Sequence, residues 1–176
     1  LQGHLRGIQA VHFSPEGRHV ATIGSDQTAR IWEAASGRQL FTIGTTASTG
    51  NPAAFSPDGQ RIAIGNKIWD LSSGREVVTL EGEHPRLLAF SKDGRQLFGG
   101  NAVWDATSGR VLVAKALTNS VVLAIAPDGC RFLACRRSGS STMPVICDAT
   151  SGQELHALQG KADEQTRAAF SPDGRR

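Results

Sequence analysis

Residues 67–76 read KIWDLSSGRE, residues 102–111 read AVWDATSGRV, and residues 30–39 read RIWEAASGRQ. Each stretch sets Trp and an acidic residue a few positions ahead of Ser-Gly-Arg. Working outward, a second word recurs between them: FSPEG at 13–17, FSPDG at 55–59, FSKDG at 90–94, IAPDG at 125–129 and FSPDG at 170–174. In the fourth copy Cys147 takes the Trp position, followed by Ser151-Gly152. The order of the words never changes, while successive copies of the second word step by 42, 35, 35 and 45 residues. A period of this size marks a repeat architecture.

Each word has a physical reading. Pro at the second turn position presets φ, Asp suits the third, and Gly takes the left-handed conformation that follows. Ser-Pro-Asp-Gly is therefore a tight reversal between two strands, with Gly17, Gly59, Gly94, Gly129 and Gly174 as its turn glycines. Asp-x-x-Ser-Gly is a second reversal, placing Gly37, Gly74, Gly109 and Gly152 at positive φ. Short β-rich runs flank both, and the first unit predicts strands at Ile8–Phe13, His19–Ile23, Ala29–Trp32 and Gln39–Ile43. Their alternation is imperfect, as in strands buried on both faces. A lone four-stranded meander would expose two apolar faces, so each must stack on its neighbours. Radial stacking of such sheets makes a β-propeller. Trp69, Trp104 and Cys147 then serve as apolar plugs packing blade on blade.

The Gly3-His4 pair, FSPEG at 13–17, Ile31-Trp32-Glu33 and their later copies resemble the WD-repeat β-propeller family, in particular its divergent bacterial-type repeats. The resemblance implies an all-β fold of four four-stranded antiparallel blades plus the first strand of a fifth. The corresponding divisions are residues 1–43, 44–80, 81–116, 117–159 and 160–176, all within one domain. Opening and ending inside the repeat suggests an incomplete segment of a larger propeller. The resemblance also implies a hydrogen-bonded bracing set, which matches His4, Thr22, Asp26 and Trp32 in the first repeat. Later repeats lack it: the His position holds Thr46, Glu81 and Ala116, and the Thr22 position holds Ile64, Gly99 and Ala134. Apolar packing and turn chemistry are left to hold those blades.

From the anchor Phe to Trp is 19 residues in the first repeat and 14 in the second and third, while Ile125 to Cys147 is 22. The difference lies between the second and third strands. A tight Gly-Asn hairpin serves the middle repeats, and CRRSGSSTMPVICD serves the fourth. In the family this connection shares a face with the loops entering each blade, the face used for partners. The expected surface is a recessed floor over blades two and three beside a wall at residues 136–144. Arg6, Gln27, Asn66, Arg86, Asn101 and Arg137 are the partner contacts expected from loop position.

Composition narrows the chemistry. A net charge of +3 with no like-charged block longer than a pair is a solvated surface, which argues against nucleic-acid binding. No apolar run approaches a membrane span, and no signal-peptide pattern opens the chain. Three cysteines cannot all pair with one another, which favours a reducing, cytoplasmic setting. Cys130, Cys135 and Cys147 lack zinc-ligand spacing and read as core fillers, with Cys130 the most accessible. His4, Asp26 and Thr22 have the residue types of a nucleophilic triad, but the repeat register makes them a buried brace. No cofactor or metal is expected. The function expected is a non-enzymatic scaffold or interaction module binding a protein or peptide, with self-association through open blade flanks. The alternatives are a propeller enzyme or ligand-binding sensor with its site at the central channel, and an envelope propeller of the TolB-like type.

Overall fold

The computed structural model describes residues 2–45, 52–82, 88–99, 102–114, 120–126, 130–138, 141–149, 151–160, 168–171, 174 and 176. They form strands and no helix. The first sheet (blade 1) holds β1 (Ile8–Phe13), β2 (His19–Gly24), β3 (Thr28–Glu33) and β4 (Gln39–Gly44). Blade 2 holds β5 (Ala53–Phe55), β6 (Arg61–Ile64), β7 (Lys67–Asp70) and β8 (Glu76–Thr79). Blade 3 holds β9 (Leu88–Phe90), β10 (Gln96–Gly99), β11 (Ala102–Asp105) and β12 (Val111–Ala114). Blade 4 holds β13 (Ser120–Ile125), β14 (Arg131–Ser138), β15 (Ser141–Asp148) and β16 (Glu154–Ala157). Every sheet is an antiparallel meander in chain order. First strands approach one another from blade to blade, β1 beside β5 and β5 beside β9, so they form the inner edge. Most of the expected fifth-blade strand falls outside the described residues, and residues 168–171 form no strand.

Both reversals form as their chemistry requires. The Ser56 hydroxyl, fully buried, accepts from Arg61 N at 2.9 Å and donates to Asp58 Oδ1 at 2.5 Å. Gly17, Gly59, Gly94 and Gly174 close these turns at φ between 66° and 72°; Gly129 lies outside the described residues. In the second reversal the acidic residue after Trp organises the turn. Asp70 Oδ1 accepts from Ser73 N at 2.8 Å, Ser73 Oγ at 2.7 Å and Ser72 Oγ at 2.6 Å. Asp105 and Asp148 repeat this with Ser108 and Ser151. The word recurs because one carboxylate satisfies several donors of a single tight turn.

The glycine of that turn does more than turn. At Gly109 a Cβ would stand 2.1 Å from the Thr79 carbonyl oxygen of β8. The Gly109 carbonyl in turn accepts from Glu81 N at 2.9 Å. Blade 3's turn is thus pressed onto blade 2's outer strand, an approach only glycine permits.

Three apolar clusters lie between sheets. Blade 1 contributes Ala21, Ile23, Ala29, Ile31 and Ile43 against Ala53, Ile62, Ile64 and Leu71 of blade 2. The opposite face of blade 2, with Ala63, Ile68, Val78 and Leu80, meets Leu88, Phe90, Leu97 and Trp104 of blade 3. Phe98 and Val103 then meet Phe132, Val145 and Cys147 of blade 4. Adjacent residues of one strand, such as Ile62 and Ala63, serve opposite interfaces, which is why the inner strands alternate so weakly. Each fully buried Ile or Leu contributes about 1.5–3 kcal/mol, against about 0.5–1.5 kcal/mol net for a hydrogen bond. Apolar stacking therefore dominates the join between blades. Arg61 adds a polar clamp, donating to the Ala106 and Gly94 carbonyls of blade 3 at 3.1 and 2.9 Å while lying 5.6 Å from the Phe90 ring centroid.

The three tryptophans are not equivalent plugs. Trp104 is 1% exposed between blades 2 and 3. Trp69 faces blade 1 but is only partly buried. Trp32 is 2% exposed, yet its register with Val20 puts it on the flank facing away from blade 2.

Candidate functional site

His4, Thr22, Asp26 and Trp32 come together at the end of blade 1 where the chain enters β1. The Trp32 indole donates to Thr22 Oγ1 at 2.8 Å, and Thr22 Oγ1 lies 2.8 Å from His4 Nε2. His4 Nδ1 is 3.0 Å from Asp26 Oδ1. One proton assignment uses every donor once: Trp32 donates to Thr22, Thr22 to His4 Nε2, and His4 Nδ1–H to Asp26. Asp26 also accepts from Leu5 N at 2.8 Å, Thr28 Oγ1 at 2.8 Å and Thr28 N at 3.2 Å. Burial opposes its charge, but the bonds from Leu5, Thr28 and His4 outweigh that and hold its carboxyl well below the usual carboxylate range. Gly24 makes room, since a Cβ there would lie 2.3 Å from His4 Nδ1.

This arrangement is a brace and not a nucleophile. Thr22 is 1% exposed and its oxygen is held between the indole and the imidazole, leaving no approach for a substrate. Its mechanical effect is to tie the entry into β1 to the β2–β3 loop, giving one end of the blade a fixed geometry.

Around that end, the β2–β3-type connections differ in height. Blade 2 pairs four residues from Arg61↔Asp70 to Ile64↔Lys67 and then turns at Gly65-Asn66. Blade 4 pairs the same four positions, Arg131↔Asp148 to Ala134↔Val145, and continues through Cys135↔Pro144, Arg136↔Met143, Arg137↔Thr142 and Ser138↔Ser141. At roughly 3.4 Å per residue the extra four pairs raise the hairpin by about 14 Å. Among the described residues, β13 pairs with β14 as far as Ser120↔Arg136 and β16 with β15 as far as Val145↔Ala157, with Leu158 N donating to the Pro144 carbonyl at 2.8 Å just beyond. Arg136 ties the wall's base to the outer strand through a 2.9 Å ion pair with Glu154.

Of the residues expected to contact a partner, Arg6 and Gln27 are exposed at this end and Asn66 is half-buried in the blade 2 turn. Gln27 has a φ of 61°. Arg137 lies in β14, where only its backbone is described; Arg86 and Asn101 fall outside the described residues. Thr28 escaped sequence reasoning, its one signal being its place two residues after Asp26. Arg61 and Arg131 also escaped it, though both follow the turn glycine by two positions.

At the opposite end a cleft of about 380 Å³ is lined by Glu16, His19, Asp58, Gln60, Asp70 and Ser72, among others. Its carboxylates are engaged within the chain: Asp58 with Ser56, Asp70 with Ser72 and Ser73, and Glu16 with His19 at 3.3 Å. None of the three cysteines is joined in a disulfide; Cys135 and Cys147 are each 2% exposed, and Cys130 is exposed. No group of three His, Cys, Asp or Glu among the described residues is placed to hold a metal ion.

A four-blade array with a Thr22–His4–Asp26 brace defines a β-propeller built from repeats. The WD domain, G-beta repeat family matches residues 1–33. An uncharacterised WD repeat-containing protein of Synechocystis sp. is 36% identical over 66 residues, covering 37% of this chain and 19% of that protein. The small ribosomal subunit protein RACK1z of Oryza sativa subsp. japonica is 33% identical over 89 residues, 48% of this chain and 26% of its own length. RACK1 of Caenorhabditis elegans is 33% identical over 85 residues, 46% of this chain and 26% of its own. Matches to these relatives span about a fifth to a quarter of their length. Among solved structures, Kuenenia stuttgartiensis hydrazine synthase superposes with a TM-score of 0.67 at 17% identity, over 89% of this chain and 50% of that one. That likeness concerns the fold alone. The chain is thus similar to WD-repeat proteins over part of its length, its first repeat carrying the match to the family.

Proposed function

We propose that the chain is a non-catalytic interaction module that receives a protein or peptide on its stepped loop face. The observation carrying this reading is the height difference between the Gly65-Asn66 turn of blade 2 and the β14–β15 hairpin, which makes a ledge beside a wall. A rigid scaffold presenting loops of unequal height is suited to recognition. The brace keeps the blade 1 loop in place, so a partner meets a prearranged surface and less ordering cost accompanies binding. Thr22 lies sealed inside that brace, which speaks against acyl-transfer chemistry at the one triad-like set.

Photo-crosslinking side chains introduced at Arg6, Gln27 or Asn66 are expected to capture one recurring protein from the producing cells. The same probe at Val77 or Leu112, each 50% exposed on outer strands, is expected to capture none. Equal labelling from both sets, or none from the loop face, would overturn the assignment.

A further inference from the structure

We infer that the cleft between blades 1 and 2, at the end opposite the loop face, receives the guanidinium of an arginine side chain carried by a protein partner. This site is separate from the stepped loop surface and does not rest on that reading.

A comparison of two blade joins carries this. Where blades 2 and 3 meet, Arg61 stands two residues after the turn glycine Gly59. Its Nη2 donates to the carbonyl of Gly94, the turn glycine of blade 3, and its Nη1 to the carbonyl of Ala106, next after Asp105. One planar fork thus bridges two backbone carbonyls of the following blade. One repeat earlier, the counterparts of Arg61, Gly94 and Ala106 are His19, Gly59 and Leu71. The backbones correspond. Leu71 N bonds the Gln60 carbonyl at 2.9 Å as Ala106 N bonds that of Arg95 at 2.8 Å, and Gly59 and Gly94 each donate to the carbonyl of their turn serine at 2.9 Å. The side chains do not. His19, whose ring sits on a single methylene, makes neither bond and lies 3.3 Å from Glu16 Oε1 instead.

The cleft of about 380 Å³ described above lies at this position, with His19, Gly59 and Leu71 together in its lining. Gly59 and Leu71 are buried residues, yet no hydrogen bond reaches the carbonyl of either among the described residues. Backbone carbonyls in that setting call for a donor. The charge around them has also changed sign. A Cβ built on Gly94 would lie 3.6 Å from Arg61 Nη2, whereas one built on Gly59 would fall against Glu16 Oε2. A carboxylate therefore stands where, one blade on, the guanidinium stands. Asp58 and Asp70 share the lining, against one cation, the exposed Arg18. An entering arginine would meet two carbonyls along one edge of its fork and a carboxylate beside it. A lysine ammonium, as a single point charge, lacks the fork that spans such a pair.

Amide chemical shifts of the isotope-labelled 176-residue chain, titrated with a capped Gly-Gly-Arg-Gly-Gly peptide, test this. Saturable shifts are expected at Gly59, Gln60 and Leu71, and none at Gly94 or Ala106, where Arg61 already occupies the equivalent place. Citrulline in place of the peptide's arginine should abolish them, and lysine should weaken binding at least threefold. Free arginine, whose own carboxylate would enter among Glu16, Asp58 and Asp70, should bind less tightly than the peptide. Glu16→Gln should weaken peptide binding severalfold. His19→Arg fills the place from within, so it should abolish binding and raise the melting temperature. No saturable shift up to tens of millimolar peptide would overturn the inference. So would equal binding of the citrulline peptide, tighter binding of free arginine, or a His19→Arg chain that still takes up the peptide.

Discussion

In blade 1 the Trp32 indole donates to a side chain, Thr22, backed by His4 and Asp26; in blade 3 the Trp104 indole donates to the backbone carbonyl of Glu81 at 2.8 Å. The two indoles share one repeat position and nearly equal burial, yet one needs three further residues and the other needs none. The difference tracks what lies against each face. Trp104 is pressed between two sheets, so apolar contact fixes it and a single backbone acceptor satisfies its N–H. Trp32 is held instead through the Thr22 hydroxyl, which His4 and Asp26 fix in turn. Blade 2 is the intermediate case. Its Trp69 is partly buried, and its indole nitrogen is buried without a hydrogen-bond partner among the described residues.

This contrast can be broken at four points. Trp104→Ala should cost the most, about 3–5 kcal/mol, as deletion of a large core side chain does; denaturant unfolding would measure it, and a wild-type midpoint would mean the indole is no plug. Thr22→Val comes next. It keeps the shape but strips Trp32 and His4 of their shared partner, for an expected loss of about 1–3 kcal/mol. The equivalent position in blade 2 is already Ile64, so Ile64→Val should change stability by less than Thr22→Val does.

Acid supplies the third test. The Ser72 and Ser73 hydroxyls and the Ser73 N–H hold the Asp70 carboxyl down to about 2, and Asp58 and Asp93 are lowered by Ser56 and Ser91. Carboxyls depressed in the folded state bind protons less readily than in the unfolded chain, where Asp titrates near about 3.9. Their stabilisation is complete above roughly pH 4 and drains away as pH falls toward 2. Thermal melts across that window should show the decline, and Asp70→Asn should make it shallower. The smallest effect belongs to Trp69→Phe. Removing a partnerless N–H offsets the lost contact area, so stability should move by no more than about 1 kcal/mol in either direction.

Much of this was legible beforehand. The two turn words placed the blade 1 strands to within a residue at their ends, because Pro, Asp and Gly at fixed positions leave a chain few local options. The brace was legible as four residue types at a familiar spacing. The unequal status of the tryptophans was not, since Trp32, Trp69 and Trp104 stand in near-identical words and differ only in what the neighbouring sheet brings to them. Nor was the clamp of Arg61 legible, because its acceptors are backbone carbonyls 33 and 45 residues away.

Local stereochemistry, written into each repeat, determined from the sequence that this chain would fold as a series of antiparallel meanders and where each would turn. Tertiary structure alone decided which flank of each sheet is covered, which indole finds a partner and how high each hairpin stands beside the next. Those outcomes depend on the fit between two surfaces, and neither surface carries a record of the other in its own residues.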